Sequence, residues 1–444
     1  MRAARAASSR REFLRLTLQV AAAGAAIPVL AACNNSSASQ DLGPLPTPVV
    51  NDPNDPRNKH FSMIDSFYTL DNDYFQGWAR GSAFAAATLL MSRDQQVDNS
   101  NIDVLRSVFE AAPIKDIQGV STLPNTAAAS PEILGLAQAS GIYASSNWSN
   151  APWSTPFDIG DYYYSFQTAN DVAGARELCK LLFTEMGGKG KFIHIEGNKG
   201  NSASDNRTAG VDEALALFPG IQMVARQPGG FSRGGTQPVI ENLLTANPDV
   251  TGIMCANDDS AMAAVTAVES RGIKNCKVVG IDAIREFLEA IPRGTAFATW
   301  AHHGAWIGAF STVRVFDALA GVKLSAPERM MNFGGFIIDS PESAAAYADL
   351  MYSSKPLPFD YEKMSRALHP DDWDPQNSMI PLDIDVYWKR DPKPPRYTLP
   401  KQYTDAVDNG DMERVAQRYA AALTTDPFAS VRSKCRNGGK DILQ

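Results

Sequence analysis

From Pro248 to His303 the chain alternates short apolar runs with amphipathic stretches. The runs Gly252–Cys255, Lys277–Ile281 and Ala296–Trp300 predict strands, and the segments Ser260–Arg271 and Ile284–Ile291 between them predict helices. A polar residue follows each run: Asn257 or Asp258 after the first, Asp282 after the second, His302 after the third. In a parallel α/β sheet the carboxyl ends of the strands face the crevice where small molecules bind, so this recurrence predicts a ligand rim.

The same alternation runs through the preceding two hundred or so residues. Strands are expected at Phe61–Phe67, Ile117–Thr122 and Gly141–Ser146, with helices at Gln76–Met91, Ile102–Ala112 and Pro131–Ala139. A second set follows near Tyr162: helix Asp171–Met186, strand Lys191–Glu196, helix Ser204–Leu217, strand Ile221–Arg226 and helix Thr236–Leu244. Strands alternating with helices of this length predict right-handed βαβ units and parallel sheets. Polar and aromatic residues again collect at strand ends. Asn72 sits at a strand-to-helix turn, where it caps the helix or faces a ligand. Tyr74 and Phe75 beside it offer flat faces for stacking on a ring, and Asn147 with Trp148 ends the strand at Gly141–Ser146. The loop Gly197–Ser202 lacks the spacing of a phosphate cradle and reads as a tight turn that leaves Asn201 and Arg207 facing the cleft.

Composition narrows the function classes. The chain has 444 residues, 44% of them hydrophobic, and a net charge of −8, which suits two or three lobes with real cores and offers no basic surface for nucleic acid. The five cysteines show neither CxxC nor Cys/His ligand spacing; Cys435 pairs with Cys179 or stays free. At the N-terminus, Ser9-Arg10-Arg11-Glu12-Phe13-Leu14 has the twin-arginine export pattern, an apolar run spans Leu16–Leu30, and Leu30-Ala31-Ala32-Cys33 has the form of a lipobox. Residues 1–33 are thus expected to be an export signal, with Cys33 as the acylated residue and the lipid as the only membrane attachment. Residues 34–59, rich in Asn, Ser, Asp and Pro, are expected to form a flexible tether. After Asp339, Pro341–Ser353 and Met412–Leu423 predict helices. Asp371, Asp372 and Asp374 stand as hard-cation ligands or as part of an irregular appendage packed through Trp373, Tyr387 and Trp388.

An ordered series of fragments carries a family resemblance: Thr69-Leu70-Asp71-Asn72-Asp73-Tyr74-Phe75, Asn147, Arg207-Thr208 with Val211, Asn242–Val250, Cys255-Ala256-Asn257-Asp258-Asp259, Val278–Asp282 and Ala298-Thr299. From about Phe61 to Ile338 the chain resembles the periplasmic sugar-binding proteins of the ribose- and galactose-binding type, the type I receptors of ABC importers. The resemblance implies an α/β fold of two doubly wound parallel-sheet lobes joined by a three-strand hinge, with a C-terminal extension. It places residues 60–165 plus 303–331 in one lobe, 166–302 plus 332–339 in the other, and 340–444 in the extension. It further implies a ligand trapped between the lobes, an ABC permease and ATPase as partners, a monomer, no cofactor and no catalysis.

By position in that family, Asn72, Asn147, Arg207, Asn257 and Asp282 would face a sugar's hydroxyls, with Tyr74 or Phe75 and with Phe231 as aromatic walls. The chemistry agrees, because a buried polyol needs planar partners of fixed geometry for its many donors and acceptors. Trp148 and His302 depart from the ribose-binding pattern and suit a larger or partly apolar ligand. Two other readings remain open at this point: a cationic or less polar cargo held by the aromatic faces, and an enzyme using His302 or His303 with Asp282 as an acid/base pair.

Overall fold

A computed structural model describes residues 44–353 and 355–443 of the chain. The twin-arginine motif, the apolar run, Cys33 and the first part of the expected tether lie outside the described residues.

Thirteen strands form two sheets. In the first, β1 (Ser62–Phe67), β2 (Ser92–Val97), β3 (Gly119–Thr122), β4 (Tyr143–Asn147), β5 (Tyr163–Thr168), β11 (Met330–Phe333) and β13 (Met379–Pro381) stand in the order β13-β11-β5-β4-β3-β1-β2. In the second, β6 (Lys189–Glu196), β7 (Gly220–Pro228), β8 (Val250–Cys255), β9 (Lys277–Ile281), β10 (Ala296–Ala301) and β12 (Phe336–Ile338) stand in the order β12-β10-β9-β8-β6-β7. Every pairing is parallel except those of the two edge strands β13 and β12, which run antiparallel to β11 and β10. The chain crosses between the sheets after β5, after β10 and between β11 and β12, the three-strand hinge of the expected fold.

The crossings differ slightly from expectation. β5 stays in the first sheet to Thr168 rather than ending at 165. β11, which the boundary at 331 would split, belongs wholly to that sheet. Strand β2 escaped the pattern because Ser92-Arg93-Asp94-Gln95-Gln96-Val97 is an edge strand paired only with β1, so its residues are half-exposed and polar. The helix Gly304–Ala320 also went unread; it is almost wholly buried and therefore carries no polar face to betray its period. It crosses the helix Asp73–Thr88 at very short range, for a Cβ on Gly81 would lie 1.8 Å from the Ala305 carbonyl oxygen.

The tether is shorter than its composition suggests. Pro56–Lys59 is a turn of 3₁₀ helix capped by Asp55, and Arg57 is buried, paired with Asp55 at 2.7 Å and with Glu362 of the extension at 2.6 Å. The extension itself is part of the body. β13 lengthens the first sheet; Phe428 is fully buried and stacks on His303 at 3.7 Å between centroids; the Trp306 indole donates to the Pro375 carbonyl at 2.7 Å. Its last residues hold the second lobe: the Ile442 amide donates to the Gly335 carbonyl at 2.8 Å, and the Arg436 and Asn437 amides both donate to Asp339. Asp372 pairs with Lys363 and His369, and Asp374 accepts from the Thr424 hydroxyl at 2.7 Å, so these carboxylates serve internal contacts. Cys179, Cys255, Cys276 and Cys435 are buried free thiols.

Candidate functional site

The carboxyl ends of the strands of both sheets converge on one cavity of about 570 Å³, within the range of small-molecule pockets. Local chemistry explains how its walls are set. Asn72, Asn201 and Asn257 each end a strand-to-helix connection and each caps the helix that follows. Their Oδ1 atoms accept from the amide of Phe75 at 3.0 Å, of Ala203 at 3.1 Å and of Ser260 at 3.0 Å. The capping role foreseen for Asn72 is real, and it fixes each carboxamide at the cavity edge. Asn257 uses its Nδ2 on the Phe231 carbonyl at 3.1 Å, and Asn201 reaches across the mouth to the Asn125 carbonyl at 2.7 Å. The Arg285 amide likewise donates across the mouth to Asp73 at 3.3 Å. The two lobes are in contact around the cavity.

Three non-glycine residues of the wall have left-handed backbone: Trp148 at φ 61°, Phe231 at φ 55° and Asp282 at φ 116°. Each such residue costs on the order of 1–3 kcal/mol and persists only where the surroundings over-determine it. Here the strain turns an indole, a phenyl ring and a carboxylate toward the same space. Arg207 lies between the two rings, 5.6 Å from the Trp148 centroid and 5.8 Å from that of Phe231. Its Nε donates to Asp171 at 2.7 Å and its Nη1 to the Ala256 carbonyl at 2.6 Å. Burial alone would lower the guanidinium pKa; Asp171 and Asp282 outweigh it and hold the charge firmly in place.

Burial also acts on the acids. It pushes the Asp282 carboxyl up to about 8, against the pull of Arg207 and with Asp259 and Asp171 adding to the rise. Asp259 is raised by burial too, opposed by Asn72 and Arg233. The buried Tyr74 hydroxyl faces the same cavity with no hydrogen-bond partner. Such a wall offers fixed donors and acceptors, the delocalised cations of Arg207 and Arg233, and aromatic faces.

Nine of the eleven expected ligand residues line this cavity: Asn72, Tyr74, Phe75, Trp148, Asn201, Arg207, Phe231, Asn257 and Asp282. Two do not, and both require correction. Asn147 is fully buried behind the wall and donates to the Ser311 hydroxyl at 3.1 Å, holding β4 to the helix Gly304–Ala320. His302 is fully buried beneath the rings of Trp148 and Trp300, at centroid distances of 4.9 and 4.2 Å. The His302 side chain meets the cavity only indirectly, through the lining residues Trp148, Tyr74 and Asp282 that stand next to it. Its Nδ1 stands 3.7 Å from Asp282, too far for a hydrogen bond, and burial, with Arg207 and His303 behind it, holds the ring neutral. His303 packs on the other side, against Phe428 and within 3.1 Å of the Tyr347 hydroxyl. No acid/base pair is assembled there.

Sequence reasoning placed Asp258 on the rim, but the next residue, Asp259, lines the cavity. Asp258 is fully buried and accepts from the Thr299 hydroxyl and, at 3.0 Å, from the Ile284 amide. One step around the first helical turn separates an inward from an outward side chain, which periodicity alone does not resolve. Tyr68, Asp71, Asn198 and Arg233 also line the wall. Asn198 lies on a loop and Arg233 opens the helix Arg233–Ala246, positions whose direction no local pattern dictates.

Comparison with known proteins gives the same picture. The family model described as a periplasmic binding protein domain matches residues 66–322. The D-allose-binding periplasmic protein of Escherichia coli is 29% identical over 255 residues, covering 56% of this chain and 82% of that one. The xylitol-binding protein of Mycolicibacterium smegmatis is 25% identical over 258 residues, 58% of this chain and 69% of the other. Among solved structures, the Caulobacter myo-inositol binding protein bound to myo-inositol superposes with a TM-score of 0.57 at 25% identity, covering 63% of this chain and 94% of that one.

Proposed function

The chain belongs to the periplasmic binding protein family, and on that premise we propose that it captures a neutral sugar or polyol between its lobes and delivers it to an ABC importer, doing no chemistry on it. The observation that carries the reading is the wall of the interlobe cavity, where three helix-capping carboxamides, the carboxyls of Asp259 and Asp282, the Arg207 guanidinium and five aromatic rings meet in about 570 Å³. Similarity to proteins named for D-allose, xylitol and myo-inositol supports the ligand class. A cationic cargo fits less well, because the faces of Trp148 and Phe231 already hold the charge of Arg207, and burial favours the neutral form of Asp282.

The solute site takes Asn72, Tyr74, Phe75, Trp148, Asn201, Arg207, Phe231, Asn257 and Asp282 as its contacts, and closure about the three crossings encloses the ligand. The family implies the periplasm as the place of action. Twin-arginine export and acylation of Cys33 complete the reading, with the lipid as anchor and a monomeric body. Labelling with a radioactive fatty acid tests the anchor: incorporation that Cys33→Ser abolishes is the expected result.

Calorimetric titration of the mature chain with D-allose, xylitol, myo-inositol and a quaternary ammonium compound tests the function. Saturable binding of a hydroxylated ligand that is recovered unchanged is expected. Binding of the ammonium compound alone, or consumption of the ligand, would refute the reading. Asp282→Ala should weaken binding by about 1–3 kcal/mol, the cost of leaving a buried polar group of the ligand without its partner.

A further inference from the structure

A second cavity, of about 430 Å³, lies at the hinge between the two lobes and the C-terminal extension. Its walls come from all three parts. Asn332 is on β11 of the first sheet. Asp171 and Arg176 lie on the helix Asp171–Glu185 of the second lobe, and Asn206 and Glu213 on the helix Ser202–Leu217. Ile380, Tyr387, Lys389 and Arg390 belong to the extension. The family match ends at residue 322, so the part of the chain that resembles known receptors does not by itself build this cavity.

The lining has a definite chemistry. Three acids and three bases cancel, and the acids are already engaged: Asp171 with Arg207, Glu213 with Arg176 at 3.0 Å and Arg390 at 2.6 Å, Asp383 as the cap of the turn Ile384–Tyr387. What remains open is the carboxamide of Asn332 and of Asn206, with the exposed ammonium of Lys389 at the edge. Asn332 is 7% exposed, and its Oδ1 is buried with no hydrogen-bond partner. A buried acceptor left unpaired is destabilising, and a ligand that donates to it recovers that cost. With Asn206 on the same wall and the apolar Ile380 and Val386 beside it, the lining carries no net charge and is partly apolar; the Asn170 carboxamide is spent on the Ala173 amide and the Leu443 carbonyl.

We infer that this hinge cavity is a second binding site, for a small neutral hydroxylated molecule whose hydroxyl donates to Asn332 Oδ1. The inference shares with the solute reading only the class of ligand, and the two sites are separate. One ion pair divides them: Arg207 lines the interlobe cavity, Asp171 lines the hinge cavity, and they meet at 2.7 Å. A molecule at the hinge touches both lobes and the extension, so it binds the open and closed forms unequally and alters affinity at the first site, with the reciprocal effect required by linkage.

Equilibrium dialysis of the full chain with radiolabelled xylitol tests this by the number of equivalents bound. About 10 mM probe fills roughly nine-tenths of a site whose Kd is about 1 mM. The wild-type chain should bind two saturable equivalents; Asn206→Trp should lose one by filling the hinge cavity from an accessible helix face, and Asn332→Ala should bind that one about tenfold or more weakly, as the loss of one well-placed partner implies. The equivalent that Asn206→Trp keeps should be the one that Asp282→Ala weakens, which checks that the Asn206→Trp variant folds. A single equivalent in the wild type, or uptake that Asn206→Trp leaves unchanged, overturns the second site. Failure of the wild-type chain to bind any hydroxylated probe at the interlobe cavity would instead overturn the solute reading.

Discussion

The family-matched body, residues 66–322, and the C-terminal extension beyond Asp339 use aromatic and polar residues in opposite ways. In the body the strand ends turn Trp148, Phe231, Tyr74 and Asp282 into a cavity, at the expense of left-handed backbone at three of those residues. In the extension, Phe428, Trp388, Tyr403 and Tyr419 are buried against the lobes, and its acids close internal ion pairs and caps. A repeated βαβ framework can hold strained side chains at the tips of its strands. A segment of short helices and loops is fastened instead by burying its side chains on the lobes and by a few backbone pairings, β13 on β11 and the Ile442 amide on the Gly335 carbonyl.

The sharpest test of this contrast is Asp171→Ala. It leaves the fully buried Arg207 without its ion-pair partner, which should cost about 3–5 kcal/mol in denaturant unfolding and abolish solute binding. Phe428→Ala should be of similar size in stability, about 3–5 kcal/mol for a large-to-small change in a packed core, yet leave solute affinity nearly unchanged. A loss of binding equal to that of Asp171→Ala would erase the distinction between the two regions. A smaller effect concerns pH. Because the folded-state pKa of Asp282 is raised from 3.8 to about 8, the folded chain holds this proton more tightly than the unfolded one, so the group's contribution to stability falls as pH rises between those values and is level above them. Asp171, raised to about 6, adds in the same sense. Thermal unfolding of Asp282→Asn should therefore show a shallower fall from acid to neutral pH than the wild type. The smallest change is expected from Arg390→Ala, whose guanidinium is 43% exposed and pairs with Glu213 at the surface: about 0.2–1 kcal/mol, and less at high salt.

Much of the cavity was legible because each rim residue sits at a strand end, and apolar runs mark those ends sharply. Asn257 and Asp282 follow β8 and β9 directly, and Tyr74 and Phe75 open the helix after β1. Asn147 shows the limit of that rule: it ends β4 as the others end their strands, but the buried helix Gly304–Ala320 covers it and takes its carboxamide. His302 fails for a similar reason, since the strained turn at Trp148 lays an indole over it. In the extension the two longer helices, Pro341–Tyr352 and Asp411–Ala422, were legible from their period, but its strand was not. β13 is three residues long, and its pairing with β11 joins segments almost fifty positions apart.

By itself the sequence determined the alternation of strand and helix, the parallel sheets and the polar character of the strand ends, because these follow from local periodicity and from which residues tolerate water. Tertiary structure alone decided which polar ends face the cavity, that Asp259 and not Asp258 looks inward, and that the extension spans the hinge to enclose a second space. These depend on long-range packing. From Pro248 to His303 the same pattern of apolar run and polar end yields a wall residue at Asp282 and a covered one at His302, and the difference is the indole of Trp148, more than a hundred residues away in the chain.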